Sequence, residues 1–167
     1  MPEIIIIAAV AQNRAIGRGG GLIYRLSADM RHFRLLTTGH TVLMGRKTFE
    51  SLPKGALPNR RNIVVSHTLT ELPGCEVYSS ISEAMAHCAD GEKVFVIGGA
   101  SVYAEAYPIA NHMELTFVHH TPKDADVFFP RVDMAEWTEL SRESHDADEK
   151  NEQPFDFVSL ERKTPVV

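Results

Sequence analysis

The feature that most constrains this chain is the way short β-prone segments and helix-patterned stretches take turns along it. Seven segments rich in β-branched and other apolar residues occur at 3–10, 41–45, 62–66, 75–78, 93–97, 113–119 and 155–161. Helical patterning falls between several of them: residues 27–38, opened by Ser27 as an N-cap candidate and closed by Gly39; residues 47–52; a stretch from the capping box Ser80-x-x-Glu83 to about Cys88; and residues 101–106. Strands that alternate with helices predict a mainly parallel sheet with helices on its faces, because a parallel crossover needs about a dozen residues that a helix supplies. Two helix-poor stretches near the end, 137–144 and 155–161, flank the acidic run 145–152 and predict an antiparallel hairpin. The expected fold is α/β: a single domain over 1–167 with a mainly parallel central β-sheet, a C-terminal antiparallel hairpin and about four flanking helices. Residues 12–25, holding Gly17, Gly19, Gly20 and Gly21, predict a mobile loop or a lid.

Lys and Arg number 17 against 22 Asp and Glu, a formal charge of −5. No cationic surplus therefore advertises nucleic acid or an anionic membrane as a partner, and any phosphate must be met locally. The apolar run at 4–11 falls far short of the roughly 20 residues a membrane helix needs, and no basic segment precedes it as in an export signal. A soluble, cytoplasmic protein is expected. Cys75 and Cys88 have neither CxxC spacing nor enough partners for a disulfide framework or a four-ligand zinc site, so both are read as reduced thiols. His119 and His120 are neighbours on a strand and point to opposite faces, a poor metal pair. No metal site is expected.

Three places could carry chemistry. On the helix at 27–38, at about 100° per residue, Phe33 and Leu36 fall within about 40° of Asp29, while Arg31 and Arg34 lie about 140° or more away. Asp29 thus shares the apolar stripe. It is either a first-turn acid favoured by the helix dipole or a partly buried carboxylate awaiting a cationic or donor-rich ligand. The strand at 93–97 runs through Gly98 and Gly99 into Ala100-Ser101-Val102-Tyr103. Those glycines suit either a tight turn or a backbone that lets a pyrophosphate reach free helix N–H groups. Met44-Gly45-Arg46-Lys47-Thr48 repeats the strand–glycine–helix pattern with two cations and no acid immediately beside Arg46, so the pair is either solvated or awaits an anion. Both segments lie at C-terminal ends of strands, where open α/β sheets bind ligands, and together they favour a large phosphorylated cofactor.

Ala8-Ala9, Ile16-Gly17, Leu26-Ser27-Ala28-Asp29-Met30-x-x-Phe33, Met44-Gly45-Arg46-Lys47-Thr48-Phe49-Glu50-Ser51, Leu57-Pro58-x-Arg60-x-Asn62-Ile63, Val96-Ile97-Gly98-Gly99, Leu115-Thr116, Asp126 and Phe129-Pro130 follow in one order. Over nearly its whole length the chain thereby resembles the bacterial-type dihydrofolate reductases. The resemblance implies NADPH-dependent reduction of 7,8-dihydrofolate to 5,6,7,8-tetrahydrofolate, hydride going to pterin C6 and a proton to N5, in a monomer open to antifolate inhibitors. It implies that Asp29 holds the pterin 2-amino group and N3, with Thr116 linked to it through water. Ala9, Met30, Phe33, Leu52 and Ile97 would wall the pterin and benzoyl site, and Arg60 would take the glutamate α-carboxylate. Gly98 and Gly99, joined by a cis peptide, would meet the NADPH pyrophosphate with Arg46, Lys47 and Thr48. Ser66 and His67 match the segment beside the adenosine phosphate and Tyr103 packs near the nicotinamide. Ala9, Ile16, Gly17, Gly45, Ile97, Ala100, Ser101 and Val102 complete the cofactor set. Residues 17–24 match the lid, Leu22 and Tyr24 standing at its catalytic positions. Water would carry the proton to N5, with Asp29 raising the ring's proton affinity through its charge.

Ile23 and Tyr24 stand where many members have Pro-Trp, Ser101 where some have an arginine for the adenosine phosphate, and Ala125 where a glycine is common. Two other readings compete. A pyrimidine reductase of riboflavin synthesis would share fold and cofactor, but its phosphorylated ribose would want cations where Asp29 sits. A non-catalytic pyridine-nucleotide-binding module would have no use for Asp29, Phe33, Arg60 and Thr116 together.

Overall fold

The computed structural model describes residues 1–18 and 23–165. β1 (Glu3–Ala11), β3 (Thr41–Gly45), β4 (Arg61–Val65), β5 (Cys75–Tyr78), β6 (Lys93–Gly98), β7 (His112–Val118), β9 (Trp137–His145) and β10 (Phe155–Arg162) form an eight-stranded sheet in the order β5-β4-β3-β6-β1-β7-β10-β9. The pairings from β5 through β7 are all parallel. β10 runs antiparallel to both β7 and β9, which is the expected C-terminal hairpin. A small antiparallel pair that the sequence did not announce joins β2 (Ala15–Gly17) to β8 (Val127–Phe128).

Parallel strands covered on both faces read as unbroken apolar runs, and the alternation within them assigns each face its helices. Ile4, Ile6, Leu43, Ile63, Val94 and Val96 point to one side. There they pack on α3 (Ile81–Ala86) through Ile81, Ala84 and Met85, and on α4 (Ala100–Ala106) through Val102, Tyr103 and Ala106. Ile5, Ile7, Val42, Met44, Val64 and Phe95 point to the other side, against Phe33 and Leu36 of α1 (Ser27–Thr37) and Phe49 of α2 (Arg46–Ser51). Each fully buried Ile, Leu or Val contributes roughly 1.5–3 kcal/mol.

The capping box forms in altered shape: Ser80 Oγ accepts from Glu83 N–H at 3.0 Å, while the Glu83 carboxylate takes the Ser79 N–H at 2.9 Å. At α1 the expected cap is wrong. Leu26 is the N-cap and offers no side-chain bond. The helix start is instead satisfied from the distant hairpin loop, Ala28 N–H donating to Asn151 Oδ1 at 3.0 Å and Ser27 N–H to the Lys150 carbonyl at 3.1 Å. Tertiary partners have taken over the local cap's task of pairing free N–H groups. The helix stops where expected, Gly39 adopting φ +85° just beyond it. The hairpin is tied to the sheet by buried Asp156, which accepts from Arg142 Nη1 at 2.6 Å and faces His119 Nε2 at 3.0 Å.

Candidate active site

Because β3, β6, β1 and β7 are parallel neighbours, their C-terminal ends open on one edge, with α1 and α2 over one face and α4 over the other. A crevice at such an edge is where open α/β sheets bind ligands. α1 sets Asp29 against β7, and Thr116 Oγ donates to Asp29 Oδ1 at 2.5 Å. The contact is direct, where the resemblance led us to expect a bridging water. Thr116 is 3% exposed, beside Ala9 of β1 in register and opposite Phe157 of β10. Burial pushes the Asp29 carboxyl above the usual carboxylate range, and the Thr116 hydrogen bond and the His32 charge pull it back. Such a group keeps its charge at a cost that a cationic or donor-rich ligand would relieve.

Phe33, Leu52, Leu57 and Ile97 stand half-buried on the α1–α2 face of the core. Met30 is 66% exposed, away from the core. At the other end of α1, Arg60 donates through Nε to the Pro58 carbonyl at 2.9 Å and through Nη1 to Thr37 Oγ at 3.1 Å, its guanidinium 5.9 Å from the Phe33 ring centre. None of the ion pairs among the described residues involves Arg60. An oriented cation next to an apolar wall suits a carboxylate.

The glycine segments of β3–α2 and β6–α4 meet. Met44 pairs with Gly98 across β3 and β6. A Cβ built on Gly45 would stand 3.1 Å from Val102 Cγ2, and one on Gly98 3.4 Å from Thr48 Oγ and 3.5 Å from the Tyr103 ring. Gly98 has φ +130° and is joined to Gly99 by a cis peptide. Gly45 is required by its tight approach to Val102 and Gly98 by its positive φ, and with Thr48 and Gly99 they form a cradle. Tyr103 is buried, donates to the Ile7 carbonyl at 2.8 Å, and is held far above the usual phenol range by burial and then by the Asp29 charge. Ala100 is half-buried and Ser101 and Lys47 are exposed. Ser66, after β4, accepts N–H bonds from Thr68 and Leu69, with His67 exposed beside it. One expectation fails: Arg46 is not without an acid. Glu50, four residues on, accepts from its Nη1 at 2.5 Å, so a ligand anion must compete with this carboxylate.

Leu22, with Gly19, Gly20 and Gly21, lies outside the described residues. On either side of that stretch, the Gly17 carbonyl accepts from Asp126 N–H at 3.1 Å and Tyr24 OH lies 2.7 Å from His120 Nδ1. Ile16 is half-buried against the core. Sequence reasoning overlooked His32, Phe157, Glu50 and His120. Helical spacing from Asp29 could have flagged His32 and spacing from Arg46 could have flagged Glu50; Phe157 arrives from β10 and His120 from the segment just after β7, with no local signal. No group of three or more His, Cys, Asp or Glu that could hold a metal ion occurs among the described residues. No described helix is long and apolar enough to cross a membrane.

Comparison with known proteins converges on one family. Residues 3–162 match the family described as dihydrofolate reductase. A dihydrofolate reductase from Bacillus subtilis is 40% identical over 161 residues, 96% of this chain and 95% of that protein. Dihydrofolate reductase type 3 from Salmonella typhimurium is 42% identical over 161 residues, covering 96% and 98%. Among solved structures, a dihydrofolate reductase from Enterococcus faecalis complexed with NADP(H) and RAB-propyl superposes with a TM-score of 0.88 at 29% identity, over 97% of each chain.

Proposed function

Because the chain belongs to the dihydrofolate reductase family, we infer that it reduces 7,8-dihydrofolate to 5,6,7,8-tetrahydrofolate with NADPH, an oxidoreductase step that supplies one-carbon metabolism. The observation that carries the site assignment is the half-buried Asp29, hydrogen-bonded to Thr116 on the edge where the Gly45 and Gly98-Gly99 segments converge. Asp29 holds the pterin 2-amino group and N3, with Thr116 as its partner. Ala9, Phe33, Leu52 and Ile97 form the apolar walls, Met30 the mouth, and Arg60 receives the glutamate α-carboxylate.

The cradle at Gly45, Thr48, Gly98 and Gly99 fits a pyrophosphate, since two strand–helix turns meet there with backbone free of side chains beside the Thr48 hydroxyl. Arg46, with Ser66 and His67, takes the adenosine phosphate. When bound, NADPH supplies the hydride that pterin C6 accepts. C6 accepts it readily only once N5 carries a proton. Water brings that proton, and the ionised, half-buried Asp29 raises the ring's affinity for it. Tyr24 borders the site from the lid side.

Residues 1–167 act as one domain, a cytoplasmic monomer inhibited by antifolates whose donor-rich, protonated rings pair with Asp29. Unpaired Cys75 and Cys88 suit a reducing compartment. Turnover of dihydrofolate with NADPH, followed by the loss of reduced-nicotinamide absorbance, tests the reaction. Absence of turnover in folded protein would refute it.

A further inference from the structure

Asp29 has one neighbour that the assigned roles leave unused. His32 follows it by three residues on α1, a spacing that puts two Cβ atoms about 5–6 Å apart along one side of a helix. The imidazole lies flat on the Phe157 ring, with centroids 4.0 Å and planes 14° apart. Phe157 stands opposite Thr116 in the β7–β10 register, and Thr116 donates to Asp29. Helix turn, ring stack, strand pair and hydrogen bond therefore close a circuit that returns to the same carboxylate. The stack removes much of the ring's freedom, and half-burial keeps solvent from screening its charge as fully as on an open surface.

We propose that His32 is a positioning residue for the reaction, its ring fixed beside Asp29 so that, when protonated, it steadies the ionised carboxylate. This rests on Asp29 being the working carboxylate. A charge on His32 opposes burial in its effect on Asp29, alongside the Thr116 hydrogen bond. The other groups around the pair are accounted for. Tyr103 of α4 keeps its proton on the Ile7 carbonyl. From β9, His145 meets Phe157 edge-on, with Glu143 at 2.9 Å from its Nε2. Asp146, Asp148 and Lys150 of the hairpin loop join Arg31 in lining a separate cleft of about 450 Å3 beside the start of α1.

His32→Phe keeps a flat ring for Phe157 and deletes the charge; His32→Gln deletes it by another route, and His32→Lys returns a charge without the ring. Two readouts apply: titration of the Asp29 carboxyl by 13C NMR in ligand-free protein, assigned with Asp29→Asn, and single-turnover hydride transfer against pH. In both uncharged variants the Asp29 midpoint should rise by about half to one pH unit, roughly a three- to tenfold gain in proton affinity. The rate profile should move with it, and His32→Lys should bring both back toward wild type. An Asp29 midpoint that stays put in folded His32→Phe and His32→Gln overturns the proposal while leaving the assignment of Asp29 intact. A midpoint that moves while the rate profile stays still overturns the assignment of Asp29, and the role of His32 with it.

Discussion

Replacing Arg60 by alanine asks whether the outer end of the cleft is built to hold a carboxylate. Two of the N–H donors are already committed, Nε to the Pro58 carbonyl at 2.9 Å and Nη1 to Thr37 Oγ at 3.1 Å. An arginine carries five, so about three remain for a ligand on a side chain that is oriented before substrate arrives. Burial and the nearby Arg34 push the guanidinium's pKa down, an unfavourable setting for a cation that an incoming carboxylate would relieve. A charge-assisted pair of this kind contributes about 1.5–3 kcal/mol. At about 1.4 kcal/mol per tenfold, the KM for dihydrofolate should rise roughly 12- to 140-fold. kcat should fall much less, because a contact remote from C6 is felt alike in ground and transition states. The assay is steady-state turnover of both proteins on dihydrofolate and on a pterin lacking the glutamate tail. If Arg60→Ala loses as much on the truncated substrate, the residue acts through its bonds to Pro58 and Thr37, and the carboxylate reasoning is refuted.

The other expectations address cofactor choice and stability. NADPH should bind more tightly than NADH by calorimetry, the preference should shrink with salt, and Arg46→Ala should bring the two near parity; equal affinities in the unmutated protein would misplace the phosphate pocket. Asp156 is held at about 2, first by His119 and with help from Ser144 and Arg142. Its stabilisation is therefore present above the ordinary carboxylate range near pH 4 and lost as pH falls toward 2. Asp156→Asn should cost about 1–3 kcal/mol in urea unfolding at neutral pH, and should flatten the loss on acidification. Asp29 is shifted the other way, so its ionisation works against folding and stability falls as pH rises through its folded-state pKa. Ligand-free Asp29→Asn should consequently melt above wild type at pH 8, with the gap closing as pH falls, by scanning calorimetry.

The parallel core was legible because strands buried on both faces cannot hide: Ile4-Ile5-Ile6-Ile7 and Val94-Phe95-Val96-Ile97 are unbroken apolar runs. β2 and β8 were not, being three and two residues long and existing only through each other. Ser27 misled because a residue with the right side chain for a cap lies one position inside the helix, its task taken by Asn151 from far along the chain. Asp29, Thr48, Gly98 and Gly99 could be picked out as residue types in suggestive places, but that Thr116 touches Asp29, or that Thr48 sits over Gly98, depends on strand order. No local pattern encodes that order. Glu50 is the opposite case: its i,i+4 spacing from Arg46 is legible in the sequence, and helix geometry alone brings the two together.

In the proposed mechanism Asp29 acts through its charge, raising the affinity of N5 for the proton that lets C6 accept the hydride, and gives up no proton of its own. Single-turnover hydride transfer from NADPH to dihydrofolate in Asp29→Asn, followed between about pH 5 and pH 8, measures this directly. The nearly isosteric amide keeps the hydrogen bond from Thr116 and loses the charge. At pH 7 the rate should drop on the order of 100-fold or more and should partly recover as pH falls and substrate arrives already protonated. A rate at pH 7 equal to that of the unmutated protein would contradict it and remove Asp29 from the mechanism.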